Sequence, residues 1–422
     1  MRGVDIRMRR YFLVALALAA VTATTAQAAP MTAAEAVKIA LEKSTSVVQA
    51  NASVLDAKGG MWGAYAGVLP RLSASYSRAG LAASPGFDFQ YSGTGRISGS
   101  WTVFSLGNIA DWSSEKKAMK SALLSRDDTR AQVVLDTKRQ FYEVVRAMHL
   151  ARVNAQGLKL ARDDERRVRA LFEVGSVSKS ELLRARVRTS QAELDSLTAD
   201  HSVVAQRIQL AQQMGVPEAT IGVVDSSLTA GETAVYDSAA VFADARAHRP
   251  DLLAAEAELS AAEIGVRASR LGRLPALTAS ADWSNYSYNS LGWDHTEGGT
   301  LALSMPIFDS NVEARSAASR ARLLRSRETR DALLRNLQSE VDLTLLAYQE
   351  FTEREALARR TVESAGENLN LVQQKYNVGS STILDLIDAQ VQYQRSWSDL
   401  VSAMAAIRVA EAAVDKVRGR TE

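Results

Sequence analysis

The chain has 422 residues, room for two or three ordinary domains or one large extended one. It contains no cysteine, which excludes disulfides, a thiolate zinc site and a cysteine nucleophile; the four histidines (His149, His201, His248 and His295) stand too far apart to share a metal at helical or hairpin spacing. Alanine is abundant and there are only 7 prolines, a composition that favours long helices with closely packed seams.

Residues 1–28 read as an export signal. Arg7, Arg9 and Arg10 precede the apolar run Tyr11 to Val21, and "AQA" at Ala26–Ala28 offers small residues for cleavage. The apolar run is shorter than the roughly 20 residues a spanning helix needs, so a cleaved signal is expected and not an anchor. No cysteine follows the site, which excludes a lipoprotein. Cleavage removes four arginines and Asp5, so the formal charge falls from +2 to −1. The apparent basicity belongs to the signal, and nothing points to nucleic acid.

The mature chain then reads as two units with one grammar, 29–235 and 236–422. In the first, a helix from Thr32 to Val68 ends at Pro70. Strands follow over 71–78 and 95–105, where Leu72, Ala74, Tyr76, Ile97, Gly99 and Trp101 alternate with polar residues. A long helical hairpin over 109–215 comes next, turning at Val174-Gly175-Ser176. The second unit opens with a helix from Ser238 to Leu274, which turns through "HRPDLL". It continues with strands over 276–288 and 298–308 and a hairpin over 311–417, turning at Val378-Gly379-Ser380.

The two units match at an offset of 204 or 205. Leu69, Pro70, Leu72, Ala74 and Ser75 recur as Leu274, Pro275, Leu277, Ala279 and Ser280; Val174, Gly175, Ser176, Leu182 and Ala185 recur as Val378, Gly379, Ser380, Leu386 and Ala389. Several blocks in the same order predict a duplication. Apolar residues in steps of three and four (Val134, Thr137, Phe141, Val144; Leu334, Leu337, Val341, Leu345, Tyr348) predict coiled-coil packing. A tract of about 60 residues rises about 90 Å, enough to cross a compartment.

An exported chain with four amphipathic strands of about ten residues, and aromatics near their ends (Tyr91, Trp101, Trp283, Tyr286, Tyr288, Trp293), suits a membrane sheet. Such a sheet cannot leave its edges open in hydrocarbon, and four strands are too few to close a barrel. Several chains must therefore contribute to one barrel. A soluble periplasmic coiled-coil adaptor or scaffold is the rival reading, and it leaves the strands without a role.

Six stretches carry a resemblance to a known family. They are "RPDLLAAEAELSAAE" (Arg249 to Glu263), the paired starts "VLPRLSAS" and "RLPALTAS", "MPIFDSN" (Met305 to Asn311), and "YNVGSSTILDLIDAQ" (Tyr376 to Gln390) with its echo "FEVGSVSKSELLRAR" (Phe172 to Arg186). In this order they resemble the TolC-type outer-membrane efflux channels over essentially the whole mature chain. The resemblance implies a homotrimer with a mixed α and membrane β fold. Four strands per chain form one β-barrel in outer-membrane lipid, continued by an antiparallel α-helical coiled-coil barrel across the periplasm of a Gram-negative cell. It further implies a passive duct for efflux or type I secretion, served by a periplasmic adaptor and an inner-membrane transporter.

The candidate site follows the polar line Asp385, Asp388, Gln392, Arg395, Asp399, whose counterpart is Glu181, Arg184, Arg188, Gln191, Asp195. On residues alone this is either an ordinary solvated helix face or a functional mouth. The resemblance implies that Asp385 and Asp388 form stacked carboxylate rings at the periplasmic mouth, selecting cations. It also implies gate links at Tyr376 and Glu181, and adaptor docking at the tips Gly175, Ser176, Gly379 and Ser380. A family arginine falls at Ser381; Arg184, Arg186 and Arg188 are candidates to replace it. No nucleotide, cofactor or metal motif is present, and no enzyme activity is expected.

Overall fold

The computed structural model describes residues 31–81, 90–222, 224, 228, 234–288 and 293–420. The expected signal at 1–28 lies outside them, as do the side chains of Tyr91, Tyr288 and Trp293. Along the chain come α1 (Ala33–Lys43), α2 (Thr45–Ala66), β1 (Arg71–Leu81), β2 (Gln90–Phe104), α3 (Leu106–Glu173), α4 (Lys179–Met214) and a short 3-10 turn (Glu218–Thr220). Then follow α5 (Ser238–His248), α6 (Pro250–Leu271), β3 (Ala276–Tyr288), β4 (Trp293–Ser304), α7 (Ser310–Asn377) and α8 (Ile383–Val417). α3 and α7 have 68 residues each, about 100 Å of rise.

The first helix of each half is two helices, which corrects the single tract Thr32 to Val68. Ser44 leaves helical geometry at ψ 140° and its hydroxyl accepts from the Val47 N–H at 3.4 Å, capping α2. The corresponding break is at Arg249, held at ψ 121° because a residue before proline is driven out of the helical region. The buried Arg249 guanidinium donates to Asp251 at 2.7 Å and to Glu340 at 2.6 Å. Burial alone would lower its pKa, but those two carboxylates outweigh it and raise it.

The strands form one antiparallel sheet in the order β1-β2-β3-β4. They differ from the expected spans at several ends. β2 begins at Gln90, and β4 starts at Trp293, opposite Ser287, and stops at Ser304 short of 308. Pro306 lies just beyond and has no N–H to give a ladder. A bulge at Thr102/Phe104 re-sets the register and places Phe104 opposite Leu277.

The pleat sorts the sheet's two faces. Leu72, Tyr76, Ile97, Trp101, Trp283, Leu301 and Leu303 share one face, and all are exposed; Leu72 is 80% and Leu303 72% accessible. The other face is hydroxyl-rich. Ser73 bonds Ser98 at 2.8 Å, Ser284 bonds Thr296 at 2.7 Å, and Arg96 pairs with Asp282 at 3.6 Å. β1 and β4 each pair on one side only among the described residues. No helix among those residues is long and apolar enough to cross a membrane.

The chain divides into two units, each with its own core. One unit comprises residues to 40, 136–231 and 354–409, and packs Val168, Leu182, Ala185, Ile383 and Leu386 together with Tyr376 and Ile387. The other comprises 41–135, 232–353 and 410–422. It holds the sheet and a core of Val241, Ala245, Leu252, Leu337, Val341 and Val417. There Gly419, at φ +78°, lets the chain pass the His248 backbone, where a Cβ would come within 2.6 Å of the carbonyl carbon.

Candidate functional site

Both expected turns lie in the first of these units. Each ends a long helix with a glycine at φ +76°, Gly175 after α3 and Gly379 after α7. L side chains avoid that left-handed conformation and glycine does not. It folds the next amides back onto the helix. Ser176 N–H donates to Leu171 O at 2.8 Å and Gly175 N–H to Phe172 O at 2.9 Å. At the second turn Ser380 N–H reaches Lys375 O at 2.9 Å and Gly379 N–H reaches Tyr376 O at 3.0 Å. These bonds occupy carbonyls that a helix end otherwise leaves open.

Three residues after each glycine a hydroxyl opens the returning helix. Ser178 Oγ accepts from Glu181 N–H, and Thr382 Oγ1 accepts from Asp385 N–H, both at 3.3 Å. At the second turn the cap is reciprocal. One Asp385 carboxylate oxygen accepts from Thr382 N–H and Thr382 Oγ1, both at 2.8 Å, and from Ser381 Oγ at 2.9 Å. These donors, the Thr382 amide first, hold the Asp385 carboxyl below the usual carboxylate range. Ser381 is thus part of the aspartate's seat.

Asp388 is exposed one turn on and makes no hydrogen bond or ion pair among the described residues. Gln392, Arg395 and Asp399 continue the same exposed line. In the counterpart line, Arg184 is exposed without an ion pair among the described residues, and Glu181 is half-buried. Tyr376 is half-buried against the core. Burial raises its phenol pKa, with Arg167 opposing and Asp164 and Glu181 adding to the rise. Among the described residues no hydrogen bond joins Tyr376 to Glu181. Arg186 approaches Glu165 at 4.0 Å, and Arg188 Nη2 donates to Gln394 Oε1 at 3.3 Å.

Two features went unread in the sequence. The first is a set of buried and half-buried polar contacts between α3, α4 and α8. Gln390 Nε2 donates to Asp164 Oδ2 at 2.8 Å, both residues being buried, and Gln394 Nε2 donates to Asn154 Oδ1 at 2.9 Å. Burial raises the Asp164 pKa, with the Gln390 hydrogen bond opposing. The second is the outer face of α4. Leu183, Val187, Leu194, Leu197, Val204 and Ile208 are all exposed, and with Ser190 and His201 they follow alternating steps of four and three. That is the spacing of a helix-packing seam, left exposed among the described residues.

Comparison with known proteins covers nearly the whole described chain. The family model described as outer membrane efflux protein matches residues 36–216 and 241–420. Nodulation protein T of Rhizobium leguminosarum bv. viciae is 27% identical over 391 residues, 86% of this chain and 77% of that protein. The bv. trifolii protein of the same name is 26% identical over 330 residues, 74% and 68% of the two chains. Among solved structures, the CmeC outer membrane channel of Campylobacter jejuni superposes with a TM-score of 0.79 at 15% identity, covering 92% of this chain and 85% of that one. The outer membrane protein VceC of Vibrio cholerae gives 0.76 at 18% identity, covering 92% and 97%. These likenesses establish the fold.

Proposed function

Because this chain belongs to the outer membrane efflux protein family, we propose that it is the passive exit duct of a tripartite efflux or type I secretion system, gated at its helical tips. Export through the signal at 1–28 delivers it to the outer membrane. There three copies close their four-stranded sheets into one barrel, and their helices continue the duct into the periplasm. Energy comes from an inner-membrane transporter, linked through a periplasmic adaptor that docks on Gly175-Ser176 and Gly379-Ser380.

The observation that carries this reading is the sheet. Its apolar face is exposed and its opposite face is covered with hydroxyls, which is the division a barrel wall between lipid and water needs. Its two edges, unpaired among the described residues, would each leave a row of amides open in hydrocarbon, so neighbouring copies must cover them. The exposed seam of α4 supports the same assembly, since a second helix seated there would bury six large apolar side chains.

At the tips, Asp385 and Asp388 supply two carboxylates per chain on an exposed helix face. In a trimer they make two stacked rings that concentrate cations and repel some anions. Tyr376, Glu181 and Arg184 are the residues proposed to link the hairpins around this mouth. The expected result of fractionating cells is protein in the outer membrane, and of extracting it a detergent-resistant particle of three chains. A monomer that stays soluble without detergent would instead favour the periplasmic scaffold.

A further inference from the structure

We propose that Gln390 and Gln394 of α8, with Asp164, Asn154 and Arg188, are positioning residues for the mouth: a polar clasp that fixes the register of the aspartate-bearing end of α8 against α3 and α4. The inference rests on the gated-duct reading and adds to it the device that holds the acids in place.

The clasp has two rungs. In the first, the Gln390 amide donates to Asp164 at 2.8 Å, with both side chains more than nine-tenths buried. In the second, the Gln394 amide donates to Asn154 at 2.9 Å and accepts from Arg188 at 3.3 Å. Gly157 makes the seat for that amide. A Cβ at this position would come within 2.7 Å of Gln394 Oε1 and 2.9 Å of Cδ. Glycine is otherwise unfavourable inside a helix, so the missing side chain has a local reason here.

Directional contacts do something that the neighbouring apolar core does not. Contacts among Val168, Leu182 and Leu386 are non-directional and gain from burial whichever apolar neighbour they meet. If α8 slipped by a turn, the buried Asp164–Gln390 contact would break at the cost of a buried hydrogen bond, and the half-buried Gln394 contact at a smaller one. Buried polar pairs are well suited to fixing register for this reason. Gln390 lies only two residues from Asp388 and five from Asp385 on one continuous helix, so fixing its position fixes theirs. The second rung is the weaker, because the buried Arg188 Nε finds no acceptor among the described residues.

The charged groups that bear on Asp164 are Arg167 and Asp163 on its own helix and Arg188 on α4, with Tyr376 of α7 nearby. The test is single-channel recording of the full-length purified protein in a planar bilayer. Gln390→Leu keeps the volume and removes the donor; it is expected to raise open probability about fivefold, the worth of one net hydrogen bond. Asp164→Asn keeps an acceptor and is expected to stay within about twofold of wild type, with its pH dependence flattened. If Gln390→Leu does not assemble, Gly157→Ala displaces only the Gln394 amide and is expected to open the channel in the same direction. A conducting wild type whose Gln390→Leu or Gly157→Ala variant gates unchanged would overturn the clasp and leave the duct. A wild type that does not conduct at all would overturn the duct, and the clasp with it.

Discussion

The two helical turns are built alike and charged differently. Each places glycine at φ +76°, folds two amides back onto the preceding helix, and starts the next helix with a hydroxyl three residues on. The first then presents Lys179, Glu181, Arg184, Arg186 and Arg188; the second presents Asp385 and Asp388. Their caps differ as well. Ser178 caps with one bond, whereas Thr382 and Asp385 cap each other and draw in Ser381. Backbone requirements therefore fix the turns, while the helical turns after them are free to differ in charge.

This comparison can be broken in three ways. The largest effect is expected from the glycines. Gly175→Ala and Gly379→Ala meet open space, so each loses only the left-handed backbone preference, about 1–2 kcal/mol, and the two losses should agree. Thermal unfolding in detergent reads both, and a large inequality would show that the turns are not equivalent. Next come the caps. Thr382→Ala is expected to cost about 1 kcal/mol and Ser178→Ala about half that, because only the former undoes a reciprocal cap. Equal losses would reduce the second cap to the first.

The smallest effect is in pH, and its sign differs between two acids of the same unit. The Asp385 pKa is depressed in the folded chain, so its contribution is present above the ordinary carboxylate range and is lost as pH falls through the lowered value. The Asp164 pKa is raised by burial, so its contribution is full below the ordinary range and fades as pH rises through the raised value. Amide exchange along α8 should therefore respond in opposite directions in Asp385→Asn and Asp164→Asn. Parallel responses would contradict the assignment of one to a cap and the other to a buried contact.

Much of this architecture is legible in the sequence, because period-two alternation and uninterrupted helical periodicity are strong signals. The two turns announce themselves as glycines in tracts without proline. Ser44 does not, since one serine in an alanine-rich helix looks like an ordinary surface residue until its hydroxyl is seen to accept from Val47. The acid line was readable, and all five of its residues on α8 are exposed. Beside it, Trp397 is partly exposed and meets Tyr393 edge-on.

Gln390 and Asp164 were hidden for a physical reason. Gln390 is one of three alternating glutamines in α8 with Gln392 and Gln394, and Asp164 sits in the charged run "RDDERR", which reads as solvated. Only the packing of α8 against α3 buries both. The seam of α4 was hidden differently, because that helix has two apolar faces. Leu182, Ala185 and Ala192 claim the core, leaving Leu183, Val187, Leu194 and Leu197 outward.

The most direct test of a duct with an electrostatic mouth is single-channel conductance of the purified protein in a planar bilayer. Wild type would be compared with Asp385→Ala/Asp388→Ala, with a trivalent cation added on the side of the helical tips. The account predicts a small, cation-selective conductance that the trivalent ion blocks, and loss of both selectivity and block in the double variant. A channel that is equally selective and equally blocked without the two aspartates would contradict it.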